Sequence, residues 1–389
     1  MIPSMGGALS GIKVIEIGAL GAATFAAMML ADHGADVLRV ERPGAAPVVA
    51  NKHDELAAWD LLSRGRLSAG VDLKHPDGVA LIRRLAADAD VMIEGFRPGV
   101  AERLGIGPDE LCAANERLVY GRLTGWGCTG PLADRAGHDI NYISVAGVQA
   151  HIGRVDQPPT PPLNLVGDFG GGGMLLAFGI CAALVERSIS GVGQVVDAAM
   201  IDGAALLMAP LLGAASSGYW SDEPGTNLLD SGAPFYDCYE CADGRWMSVG
   251  ALEAAFYTRM LEGLGLSARE DLPDQHDSDR WPELRAVIGD AFRSRSRDEW
   301  TEIFTPLDAC VAPVLTMSEA PTHPQTQAWG TFVDVAGVTQ PVPAPRFSRT
   351  VPDTPSVAQI GGANTDEVLA QWGITAVEID RLRAAGAIN

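Results

Sequence analysis

Residues 13–40 read KVIEIGALGAATFAAMMLADHGADVLRV, and their pattern decides the fold. Lys13-Val14-Ile15-Glu16-Ile17 is a short apolar strand, Ala22 to Asp32 a helix, His33-Gly34 a turn, and Ala35-Asp36-Val37-Leu38-Arg39-Val40 a second strand. A strand buried on both faces reads as an unbroken apolar run, and strand–helix–strand is the repeating unit of a parallel sheet. The alternation continues outward. Pro76 opens a helix to about Ala87, Asp90 to Glu94 is a third strand, Pro108 to Ala114 is helical, and Arg117 to Leu123 is a fourth strand. The expectation is an α/β fold, a doubly wound, Rossmann-like parallel sheet, whose ligands sit at the carboxyl ends of the strands.

The same opening segment raises two other readings. Gly18-Ala19-Leu20-Gly21 follows the first strand, but the G-x-G-x-x-G spacing of a dinucleotide fingerprint is absent. The apolar run from Ile15 to Ala31 is short for a bilayer span, has no basic leader and carries Glu16 at its front. No other segment reads as long enough, so no membrane insertion is expected.

Two long apolar helices are expected from about Gly172 to Arg187 and from about Ala198 to Ala215, with a turn and short strand between them. After about Ser221 the character changes. A hairpin pairs Phe235 to Cys241 with Trp246 to Val249, and amphipathic helices follow near 253–264, 281–293 and 297–304. This defines a large domain over 1–220, a smaller α+β domain over 225–325, and a return to the large domain over 330–389 through the proline-rich runs at Pro341–Pro345 and Pro352–Pro355.

At 389 residues and 47% hydrophobic, the chain is long enough for two cores. Its 28 Lys and Arg stand against 49 Asp and Glu, a net charge of −21, which repels nucleic acid and anionic lipid. Six cysteines do not make a disulfide framework, and a reducing cytoplasm fits them. Cys238 and Cys241 form a C-x-x-C on a strand, where odd spacing puts the sulfurs on opposite faces, and no metal site is expected.

Chemistry concentrates in two frames thirty residues apart. One is Gly137-His138-Asp139-Ile140-Asn141-Tyr142. The other is Asn164-Leu165-Val166-Gly167-Asp168-Phe169, running into Gly170 to Gly173. Histidine titrates near neutrality, and a carboxyl among apolar neighbours such as Val166, Phe169 and Met174 is pushed up toward the same range. A core histidine and a helix N-cap aspartate are the plain alternatives. Basic residues recur where strands end: Arg39 and Arg42, then Ser63-Arg64-Gly65-Arg66 before Val71-Asp72-Leu73-Lys74, then Gly95-Phe96-Arg97 with Arg103. Such clusters suit phosphate groups.

These frames resemble the catalytic segments of the α-methylacyl-CoA racemases, within the family III CoA-transferase superfamily, and the resemblance spans nearly the whole chain. It implies His138 and Asp168 as proton donors and acceptors on opposite faces of a thioester α-carbon, with the Asp139–Ile140 amides free for the enolate oxygen. It implies Glu253 as the group that orients the histidine ring, where a plain acid at a helix N-terminus is the alternative reading. Arg42 would take the adenosine phosphate end of CoA and Val71 to Lys74 the adenine and ribose. Gly95, Phe96, Arg97 and Arg103 would take phosphates, and Gly137 with Asp139 to Tyr142 the thioester end. Acyl-CoA is then the substrate, no separate cofactor is needed, and an interlocked homodimer is expected, the linkers near 215–230 and 325–355 being long enough to thread.

The chain departs from the family at two points. Ala19-Leu20-Gly21-Ala22 stands where Gly-Pro-Gly-Pro is usual, and Leu67 replaces a basic residue. The superfamily's other branch moves CoA between carboxylic acids through an aspartyl anhydride and generally lacks the histidine. His138 therefore favours racemisation over transfer. The acyl chain stays open. Met200, Met208 and Met260 would suit an adaptable apolar surface or plain core equally well.

Overall fold

A computed structural model describes residues 6–18, 21–44 and 59–389. By internal contacts the chain divides into two units, 1–146 with 163–207 and 324–389, and 147–162 with 208–323. The second unit thus takes in 147–162 and 208–220, which the sequence reading had left with the first.

The first unit is built on six parallel strands: β1 (Lys13–Ile17), β2 (Asp36–Glu41), β3 (Leu67–Gly70), β4 (Val91–Glu94), β5 (Val119–Thr124) and β6 (Val195–Ala199). Their order in the sheet is β3-β2-β1-β4-β5-β6, with every neighbouring pair parallel. The order reverses between β1 and β4, which opens a crevice beyond their carboxyl ends. Strand β3 was not legible as a strand, since Leu67-Ser68-Ala69-Gly70 offers little β-branched or aromatic side chain.

Alternate strand residues feed two separate cores. Ile15, Leu38, Val40 and Met92 face one side, where they meet α2 (Pro76–Ala87) and α4 (Pro108–Ala114). Val14, Val37, Val91 and Ile93 face the other, against α1 (Ala22–Asp32) and α6 (Leu175–Ser190). Each fully buried isoleucine or leucine contributes about 1.5–3 kcal/mol, so the two-sided burial is what holds the sheet between its helical layers. Helix α1 is alanine-rich because it is buried almost all round, lying between the sheet and the glycine-rich segment described next.

That segment, Leu165–Met174, is a π-helix that runs directly into α6. The sequence reading had broken the helix at the glycines and found no other span of membrane length. In fact Leu165–Ser190 is 26 residues long and apolar enough to cross a bilayer by length and composition. The glycines are required by packing, not by flexibility. A Cβ on Gly173 would lie 2.7 Å from the carbonyl oxygen of Ala22, and one on Gly203 in α7 (Met200–Leu207) 1.8 Å from that of Gly171. Backbone meets backbone on both sides of the π-helix, which only glycine allows.

The second unit carries α8 (Ala209–Ser216) and a three-stranded antiparallel sheet in the order β7-β8-β9, from β7 (Tyr236–Glu240), β8 (Trp246–Gly250) and β9 (Val311–Pro313). Three helices cover that sheet: α9 (Ala254–Gly263), α10 (Trp281–Phe292) and α11 (Arg297–Phe304). The apolar face of the hairpin, Tyr239, Met247 and Val249, packs with Ile288, Phe292 and Trp300. Cys238 is exposed and Cys241 buried, as their odd spacing requires, and all six cysteines are unpaired. Met208 and Met260 are buried and Met200 packs on the sheet's second core, so these methionines are core residues.

The chain then returns to the first unit with α12 (Pro324–Trp329) and an antiparallel hairpin of β10 (Phe332–Val335) and β11 (Val338–Pro341), where a bare linker was expected. It closes with α13 (Thr365–Gln371) and α14 (Ala376–Ala384), whose Leu369, Trp372 and Leu382 complete the first core beside α2.

Candidate active site

A cleft of about 630 Å³ opens at the carboxyl ends of β1 to β4, at the point where the strand order reverses. Its walls are the ends of the strands themselves. Ile17 ends β1 and Gly18 follows it, Val40 to Pro43 close β2, Val71 to Lys74 follow β3, and Phe96 follows β4. Arg42, Val71, Asp72, Leu73, Lys74 and Phe96, all singled out in the sequence, line it. Gly95, Arg97 and Arg103 do not, though Gly95 and Arg97 belong to the same loop and Arg103 ends the short α3 (Val100–Arg103) that follows it. That loop is fixed by Glu94, which accepts from the Phe96 amide at 2.6 Å and from Arg122 Nε at 3.2 Å. Its importance could not be read from an apolar strand that merely ends in an acid.

The cationic clusters separate into two kinds. Arg64 is buried and gives its guanidinium to Asp32 at 2.6 Å and to Gln340 at 2.9 Å. Arg66 is equally buried and pairs with Glu16 within the sheet. Arg39 pairs with Glu41 at 2.7 Å. All three are buried and already paired, so they are not free to receive a ligand, which corrects the reading of Ser63 to Arg66 as a phosphate segment. Arg42, Lys74, Arg97 and Arg103 are exposed and make no ion pair among the described residues. A chain with net charge −21 thus keeps four unneutralised cations at or beside one strand-end crevice.

The two chemical frames meet beside the turn from β1 into α1, where Asp139 Oδ2 accepts from the Gly167 and Asp168 amides. His138 is the residue before α5 (Asp139–Val145), and its backbone N–H donates to Asn141 Oδ1 at 3.1 Å. It is exposed, so it is no core histidine. Asp168 stands within the π-helix, so it is not a helix N-cap either. Its Oδ2 accepts from Asn164 Nδ2 at 3.1 Å and lies 3.9 Å from where a Cβ on Gly21 would be, at the turn into α1. Ala19 and Leu20 of that turn lie outside the described residues.

Burial pushes the Asp168 carboxyl above its ordinary range. The Asn164 amide and His138 pull it down, and Asp139 pushes it further up. The burial does not come from Met174, which is exposed; Phe169 packs against Phe25 of α1 with ring centroids 5.0 Å apart. A carboxyl raised by burial, with an imidazole at the start of the neighbouring helix, is a group that can exchange protons with a bound substrate.

Tyr142 closes the site from α5. Its hydroxyl donates to the Gly137 carbonyl at 2.5 Å, its ring packs edge-on against Trp126, and burial with the nearby Asp168 charge raises its own hydroxyl. Arg97 acts in the opposite sense on Tyr142, which ties the strand-end loop to the proton-transfer frame. Ile140 and Asn141 are exposed on the first turn of α5, while the Asp139 side chain turns inward. Glu253 precedes α9 in the second unit, is exposed, and does not cap its own helix with its side chain. Asn164 was quoted within the frame but given no role; an amide four residues before an aspartate was the available signal.

A parallel sheet in this order, with a cationic cleft at its switch point and an acid–base pair beside it, defines an α/β enzyme for an anionic, nucleotide-like substrate. The chain belongs to CoA-transferase family III, whose model matches residues 9–361. It is 43% identical over 379 residues to an alpha-methylacyl-CoA racemase of Mus musculus, covering 97% of this chain and 96% of that one. To the alpha-methylacyl-CoA racemase of Homo sapiens it is 42% identical over 384 residues, again 97% and 96%. Among solved structures it resembles a CAIB/BAIF family protein from Brucella suis, with a TM-score of 0.81, 25% identity, and 94% and 100% of the two chains covered.

Proposed function

We propose that this protein racemises 2-methylacyl-CoA thioesters by 1,1-proton transfer. One observation carries the reading: exposed His138 and partly buried Asp168 are brought together through Asp139, which follows His138 in the chain and whose Oδ2 accepts from the Asp168 amide at 2.7 Å, with the Asp168 carboxyl raised by burial. The similarity to alpha-methylacyl-CoA racemases over 97% of the chain supports it.

The chemistry follows from the two groups. One takes the α-proton as the Cα–H electron pair moves into the thioester carbonyl, giving an enolate. The other returns a proton to the opposite face, and the configuration inverts. The Asp139 and Ile140 amides on the first turn of α5 donate to the enolate oxygen, where charge develops. In the strand-end cleft Arg42 takes the adenosine phosphate end and Val71 to Lys74 the base and ribose, while Gly95 to Arg97 and Arg103 take phosphates. The reaction is redox-neutral and needs no cofactor beyond the CoA already on the substrate.

The protein works as a homodimer in this reading. Phe178, Val185 and Ile189 are 72%, 64% and 84% exposed along one side of α6, an apolar stripe that favours a second copy over water. Free cysteines throughout support a reducing, cytoplasmic setting.

The test is to incubate one enantiomer of a 2-methylacyl-CoA with the protein in deuterium oxide, alone and with a carboxylate acceptor. Racemisation with deuterium at the α-carbon is expected. Transfer of CoA to the acceptor without α-exchange would replace this reading by a transferase acting through an Asp168 anhydride.

A further inference from the structure

The carboxyl of Asp139 belongs to neither the cleft nor the reacting centre. It is 3% exposed, turned away from the substrate side of α5 and into the protein. Its Oδ2 accepts two backbone hydrogens, from the Gly167 amide at 2.5 Å and the Asp168 amide at 2.7 Å. The residue is thus adjacent to His138 in the chain and bonded to Asp168 through space. The fit is tight on both sides. A Cβ on Gly167 would lie 2.7 Å from Asp139 Oδ2 and 3.1 Å from Ile143 Cγ2, so only glycine admits the contact. Both amides lie in the first turn of the helix that begins at Leu165, where backbone N–H groups have no acceptor within the helix.

Resting on the reading that His138 and Asp168 are the two proton-transfer groups, we propose that Asp139 is the positioning residue that fixes one against the other. Its backbone starts the helix behind His138, and its side chain clamps the turn that carries Asp168. The separation across the substrate α-carbon is set by this one residue. Its negative charge also stands beside Asp168 and holds that carboxyl toward its protonated form. The other groups facing Asp168 are His138, which acts oppositely, Tyr142 from α5, and the Asn164 amide on its own segment.

Two variants separate clamp from charge. Asp139→Asn keeps an oxygen for both amides and loses the charge. In this variant the acid limb of kcat/KM should move to lower pH, because Asp168 loses a neighbour that disfavours its ionised form. Asp139→Ala loses the clamp, and kcat should fall about 10²-fold, the cost of a misplacement near 1 Å. KM for acyl-CoA should change less than kcat, since the side chain is turned into the protein and away from the cleft. Deuterium exchange should fall more for the enantiomer served by Asp168 than for the other, an asymmetry that general destabilisation does not produce.

Carboxyl-carbon NMR of the ligand-free protein gives a readout independent of activity, with Asp168 assigned by comparison with Asp168→Asn. The Asp168 titration should move to lower pH in Asp139→Asn. An unmoved titration, or exchange lost equally from both enantiomers in Asp139→Ala, would overturn the proposal. A parent protein that exchanges no α-proton while the titration still moves would sink the racemase reading and leave the positioning role standing.

Discussion

At the scale of single residues, Asp168 carries the clearest consequence. Its carboxyl is raised above 3.8, so between that value and the higher folded one the native state holds more protons than the unfolded chain. Stability therefore falls as pH rises through that window and stays lower above it. Asp168→Asn removes the penalty. Its melting temperature should exceed the parent's at neutral pH, with the gain shrinking as pH drops below the ordinary aspartate range; calorimetry across pH 3–8 checks the sign. A melting temperature equal to or below the parent's at neutral pH would mean that the carboxyl is not penalised by its site. Arg66 makes the opposite case. It reads as one more basic residue in a cluster, yet it is paired with Glu16 inside the sheet. Removing one partner of a buried pair costs about 3–5 kcal/mol. Arg66→Ala should show that loss in denaturant unfolding, with CoA affinity unchanged in the fraction that remains folded.

Among the elements, the strands and helices of the sheet were legible because burial on two faces leaves an unmistakable apolar run, and α1, α2 and α4 fall where the sequence put them. The π-helix was not. Gly170 to Gly173 signals a break to any local reading, and only the close passage of α1 and α7 explains why a wide helical turn survives there. Strand β3 and the β10–β11 hairpin escaped for a related reason, since their pairing is decided by neighbours distant in the chain. The same packing predicts the effect of Gly203→Ala. A new methyl against the Gly171 carbonyl should cost about 1–3 kcal/mol of stability. It should also lower kcat, because the displaced π-helix carries Asp168. A stable, fully active Gly203→Ala protein would mean that the two backbones do not need to touch.

Across the whole molecule, charge divides sharply between a strongly acidic chain and a small cationic crevice. Arg42→Ala should weaken CoA binding at least about tenfold, as loss of a charge-assisted contact of about 1.5–3 kcal/mol requires. Affinity should also decline with added salt, as screening dictates. Equal CoA affinity in Arg42→Ala, Lys74→Ala and the parent, by calorimetry, would remove the cleft as the nucleotide site. The sequence was most informative about this site where strand ends carry Arg42, Lys74 and Arg97. It was least so about which cations were already taken, because the partners of Arg39, Arg64 and Arg66 include residues far along the chain.

The central claim is that His138 and Asp168 serve opposite faces of one carbon. The direct measurement is α-proton exchange in deuterium oxide, run from each pure enantiomer of a 2-methylacyl-CoA with His138→Ala and with Asp168→Ala. Both variants should lose racemisation by about 10²–10⁴-fold, the usual worth of a positioned acid or base. Exchange should persist unequally, with His138→Ala impaired mainly toward one enantiomer and Asp168→Ala toward the other. If His138→Ala racemises at the parent rate while Asp168→Ala alone is inactive, the two-face account is wrong.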